Sequence, residues 1–151
     1  MKKLVGILVV VCLSLVNLSA QVPKKPVLSK EEFQSRQAGF ITEKAILSKE
    51  EANKFFPVFF ELQEKKRIIN DRVRALFDKG KDPRTTEAQY DELIKGVLNA
   101  RIESDELEKE YYDQFKKILS PKKIFMVKKA EVRFHRELLK NVNKKKITPK
   151  K

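Results

Sequence analysis

The chain predicts an all-α fold of four helices in two long, kinked antiparallel hairpins. Three observations carry this expectation. Apolar residues recur at steps of three, four and seven along most of the chain, the spacing of one helical face. No stretch alternates apolar and polar residues with the period of two that a half-buried strand needs. Ser or Thr heads each periodic run, where a side-chain oxygen can cap the free N–H groups of a helix start.

The first element is a leader rather than a helix of the fold. Lys2 and Lys3 precede an apolar run over 4–18 and the small residues Ser19 and Ala20, the order of a secretory signal peptide. About 15 apolar residues fall short of the ~20 that span a bilayer, and an uncleaved anchor is the alternative. Cleavage after Ala20 removes Cys12, the only cysteine, so the exported form holds neither disulfide nor thiol. The expected location is periplasmic. Residues 21–29 follow as a proline-containing lead-in, and 30–142 as a single helical domain with a basic tail over 143–151.

Ser29 with Glu32 opens the first helix, which reaches about Ile46. Its apolar face is partial, through Phe33, Gln37, Phe40, Ile41 and Lys44, and Gly39 weakens it. Within the stretch 46–79 the second helix starts just after Ser48, behind a Ser48–Glu51 capping box, with Phe59, Leu62, Ile69, Val73 and Leu76 on one face. About 30 residues at ~1.5 Å each make a rod of roughly 45 Å. Such a rod must lie along another long helix. Pro57 is expected to kink it near 53–57. The flanking FFPVFF places Phe55, Phe56, Val58, Phe59 and Phe60 over an arc of roughly 200°, wider than a surface stripe. Phe55 and Phe59 fall on the inner side and Phe56 and Phe60 on the outer, so the elbow is either buried or open to another protein.

Gly80, Asp82 and Pro83 turn the chain, and Thr86 caps a third helix through about Leu119. Tyr90, Leu93, Ile94, Val97, Leu98, Leu107, Tyr111 and Phe115 are its apolar positions, thinning to a solvated middle over 99–106. Asp105–Lys109 and Asp113–Lys117 are candidate ion pairs on its surface. Ser120 caps the fourth helix with Pro121 at its first position. Ile124, Val127, Phe134 and Leu138 form its inner face, and helicity is expected to fade after about Asn141.

Charge is concentrated at the end of the chain. The net charge is +13, and residues 120–151 carry twelve Lys/Arg against two Glu. Export and the lack of an aromatic-interleaved basic motif argue against nucleic acid as the partner. An anionic membrane surface is the better-matched polyanion for the basic tail.

Ile46-Leu47-Ser48 recurs as Ile118-Leu119-Ser120, each just before a helix. Two such starts about seventy residues apart, in a short exported helical chain, resemble the Spy/CpxP-like family with its paired Leu-Thr-x-x-Gln motifs. The matching segments are Leu47-Ser48-Lys49-Glu50-Glu51 and Leu119-Ser120-Pro121-Lys122-Lys123. Serine replaces threonine in both, and the glutamine positions hold Glu51 and Lys123. The runs EANKFFPVFFELQEKKR and YYDQFKKILSPKKI also look like small exported helical proteins of Bacteroidetes. The resemblance covers about Phe33 to Leu139. It implies a curved dimer of kinked hairpins, acting without ATP as a periplasmic chaperone or stress-response modulator.

No nucleophile–base pair, carboxylate dyad or cofactor motif stands out, so the expectation is a binding protein and not an enzyme. The candidate surface for unfolded or partner proteins comprises Phe55, Phe56 and Phe60 with Lys122, Lys123, Lys128, Lys129, Arg133 and Arg136. Self-association into a homodimer would cover stripes that one small monomer leaves open. Metal sensing is the alternative, with Glu131 and His135 at i and i+4, but the chain has one histidine and Met126 as the only methionine after the leader. A third possibility is a purely structural helical dimer whose aromatics are all core.

Overall fold

Four capped starts divide the chain into four helices. The computed structural model describes residues 29–147, with side chains to Lys140. The expected leader (1–20) and lead-in (21–28) and the end of the basic tail (148–151) lie outside the described residues. The order is α1 (Lys30–Ala45), α2 (Lys49–Lys79), α3 (Glu87–Phe115) and α4 (Pro121–Ile147). All-α is the observed class, with no strand among the described residues. Ser29 accepts from Glu32 N, while Ser48–Glu51 and Thr86–Gln89 make complete capping boxes. Ser120 Oγ accepts from Lys123 N at 3.4 Å. The α1–α2 turn passes through Ile46 at φ 53°, a left-handed C-cap with an exposed side chain, and Leu47 closes it by donating to the Thr42 carbonyl.

Helix α2 runs unbroken past Pro57, whose ring faces solvent. Helix α3 stops at Phe115, four residues short of the expected Leu119, because Lys117 and Ile118 tighten into bonds to the third residue back. Helix α4 continues to Ile147, beyond the expected fade at Asn141. Lysine is a good helix former, and cations are favoured at a helix C-terminus.

The pairing is less sequential than two consecutive hairpins. Helices α2 and α3 form one long antiparallel hairpin, while α1 packs chiefly on α4 and only lightly on α2. Phe33 and Phe40 both meet Phe134 across the α1–α4 seam, with centroids at 5.6 and 5.5 Å. Tyr111–Glu61 and Lys66–Glu108 register the α2–α3 seam. The two pairs meet at a base where all four helices contribute. Ile41, Phe55, Phe59, Leu62, Tyr111, Phe115, Ile124 and Val127 are buried there. Leu47 and Leu119, the residues just before two of the caps, are buried in the same cluster. Burial ends early along the hairpin: between Ile69 and Ala100 no residue is buried.

Candidate functional site

The aromatic elbow is core. Phe55 is fully buried and Phe56 is 8 % exposed. Phe55 stacks on Phe59 at 5.3 Å and meets Phe115 at 4.9 Å, and Phe56 stacks on Phe60 at 5.7 Å. The expected order of exposure holds, since Phe60 alone of the four is only partly buried. Phe55 and Phe56 nevertheless offer no surface to a partner. The physical reason is the packing of α1 and α4 over the base, which covers most of the arc that one neighbouring helix would have left open.

Of the basic candidates on α4, two point inward. Lys123 donates to Glu51 at 2.5 Å, and Lys128 is paired with Glu108. Glu51 and Lys123 are the third residues of their helices, so the two Leu-Ser starts touch through this pair. Hydrogen bonding to Lys123, then to the Ser48 N–H, lowers the Glu51 carboxyl from its ordinary value. Lys122, Lys129, Arg133 and Arg136 are exposed, Arg133 with Glu137 at 2.9 Å.

A groove of about 460 Å³ opens between the helix pairs beside the base. Phe59, Leu62, Phe115, Ile124 and Val127 floor it, and Lys66, Lys128, Glu108, Glu131 and His135 stand on its rim. Glu108 sits between two ammonium groups, Lys66 at 2.5 Å and Lys128. Burial works to raise its pKa, but the hydrogen bonds from Lys128 and Lys66 prevail and hold it below the ordinary carboxylate value. Gln63 Nε2 donates to Glu131 at 2.7 Å. Glu131 is therefore already engaged, and His135 leans on Phe33 and Phe134. Among the described residues no group of three or more His, Cys, Asp or Glu is placed to hold a metal ion.

The open apolar surface lies elsewhere, on the distal half of the α2–α3 hairpin. Phe77, Ile94, Leu98 and Ile102 are each more than half exposed. Phe77, Ile94 and Leu98, with Leu76, Tyr90, Leu93 and Val97, line a shallow groove of about 290 Å³ that is almost wholly apolar. Gly96 lets α2 close on α3, for a Cβ there would meet the Leu76 methyl at 3.0 Å. The middle of α3 is solvated as expected: within 99–106 only Ala100 is buried, and the pair that Glu103 makes with Arg72 of α2 is exposed. Asp113 pairs with Lys116 rather than Lys117. The sequence marks Tyr90, Leu93, Ile94, Val97 and Leu98 as apolar positions of α3 but does not tell which of them a neighbour covers, and Phe77 is not among its candidates. Their stripe is two residues wide, from the 93/97 row to the 90/94/98 row, and a hairpin of two helices covers only one row. No family model matches this chain, nor does any curated protein or solved structure.

Proposed function

We propose that this chain is an exported, ATP-independent holding protein of Spy/CpxP-like type, which binds apolar segments of unfolded proteins on the distal face of its α2–α3 hairpin. The observation that carries the reading is the Phe77–Ile94–Leu98–Ile102 surface with its apolar groove. An open apolar patch on a water-exposed helix pair suits a surface that other chains cover. The surplus of cations draws acidic, unfolded segments from a distance. The order of charge, apolar run and small residues in the first twenty positions supports export to the periplasm. The role calls for no catalytic group.

The test is suppression of light scattering by an aggregating client. Ile94→Ser with Leu98→Ser should abolish suppression while leaving the melting temperature within a few degrees, since both side chains are exposed. Full suppression by that variant would remove the distal face from the mechanism. A second reading has the same face pairing two copies, favoured by the four-residue spacing of Ile94, Leu98 and Ile102. Equilibrium sedimentation separates the two: a dimer that the double substitution returns to monomer, with suppression unchanged, supports the homodimer and not the client site.

A further inference from the structure

A different surface, on the opposite side of the inner face of α4, has an unmixed character. The buried side of α4 is set by Ile124, Val127, Ala130 and Phe134. Facing away from them, Phe125, Val132 and Leu139 are each more than half exposed. They stand seven residues apart, so they form a line along the helix roughly 21 Å long and one side chain wide. Lys129 and Arg136 lie beside that line, four residues after Phe125 and Val132, with Lys122 and Lys140 on the same flank. All four are exposed and make no ion pair among the described residues. Over an outer arc of roughly 140° the helix carries no carboxylate; Glu131 and Glu137 both lie outside it. The neighbouring α1 offsets its own acids, with Glu31, Glu32 and Glu43 set against Lys30, Arg36 and Lys44.

We propose that this outer face of α4 is a docking surface for an anionic lipid bilayer, with Phe125, Val132 and Leu139 seated at the boundary between headgroups and acyl chains and the flanking cations on lipid phosphates. The charge pattern demands an anionic occupant. The shape favours a planar one: the apolar residues form the crest of a convex helix, the form of an interfacial helix that lies in the membrane surface. A second copy is a poor match. A helix-to-helix seam needs two apolar positions per heptad, and here the second is held by Lys128 and His135. Two such faces would also bring like charges together. No described helix is long and apolar enough to cross a membrane, so the contact is one of lying on the surface. The proposal differs from attraction of the last residues alone, because it requires insertion at Phe125, well before the basic tail.

The chain has no tryptophan, so Phe125→Trp supplies a single reporter in the full chain. Vesicles of phosphatidylcholine and phosphatidylglycerol should move its emission to the blue and shield it from iodide, and vesicles of phosphatidylcholine alone should not. Adding Lys129→Glu and Arg136→Glu should weaken the apparent affinity at least tenfold, and raised salt should weaken it further. Phe77→Trp, at the far end of the hairpin, should keep its emission unchanged on the same vesicles. The proposal is overturned if the Phe125→Trp signal stays fixed while the protein sediments with vesicles, which would place contact in another segment. It is equally overturned if soluble poly-glutamate produces the same shift, marking an acidic protein as the partner. A shift that depends on protein concentration without lipid would show a second copy there and overturn it too.

Discussion

Gln37 should make the protein more stable when it is replaced by leucine. The residue lies on the inner face of α1, fully buried, one turn before Ile41. Neither its amide nitrogen nor its amide oxygen has a hydrogen-bond partner among the described residues. Each unsatisfied buried polar group costs about 1–3 kcal/mol, so two groups set a penalty of about 2–4 kcal/mol once some local relaxation is allowed. Leucine is of similar size and fits the helix better, so it removes the penalty with little change of volume. For a fold of about 120 residues, ~2.1 cal/mol/K per residue gives an unfolding entropy near 250 cal/mol/K, or about 4 °C per kcal/mol. Gln37→Leu is therefore expected to raise the melting temperature by about 8–16 °C in a circular-dichroism melt. Gln37→Ala is the control, since it removes the same polar atoms but leaves a cavity that offsets the gain. A fall in melting temperature for Gln37→Leu would refute the reasoning, because it would mean that the amide is satisfied in solution and holds α1 in place.

Phe55→Ala should be destabilising by about 3–5 kcal/mol, since the ring is fully buried among Phe56, Phe59 and Phe115; urea titration decides it, and a loss under about 1 kcal/mol would mean that the base is not close-packed. Acid should loosen the base. Glu108 is held below its ordinary value of 4.5, and Glu64 is lowered to about 2 by hydrogen bonds from Arg67 and Lys30. Both native-state values lie below the unfolded ones, so the contribution of these carboxylates is complete above about pH 4.5 and is lost as pH falls through the native values, for Glu64 down to about 2. The melting temperature should drop across that window, and Glu108→Gln should flatten the slope; a variant profile parallel to that of the unchanged chain would show that Glu108 carries none of it.

What could be read from residues alone was local. Capping and turn residues located all four helix starts to within a residue or two, because the groups that make a cap sit within four positions of one another. The inner and outer order of the phenylalanines followed from the wheel for the same reason. What the wheel could not supply was the partner. Phe56 is covered because α1 and α4 close over the base, a long-range event that no local spacing records. The distal residues Ile94 and Leu98 are uncovered because no third helix buries that row. Identical stripes thus end as core at one end of the hairpin and as surface at the other. Gln37 was placed on the inner face by spacing, while the burial of its amide without a partner was not foreseeable from residue type.

The seam between α1 and α4 bears on how such a chain is made. Phe33 meets Phe134 across about a hundred intervening residues, so its contacts are among the most non-local the chain can form. Helices α2 and α3 can pair as soon as both exist, but the base stays unfinished until Ile124, Val127 and Phe134 arrive. A chain passing head-first through a narrow channel would therefore emerge with its first helix unpaired and would lock only when the last segment cleared the exit. On the near side of such a channel the same order would leave α1 without its main partner until the final helix is made, although α2 and α3 can already pair.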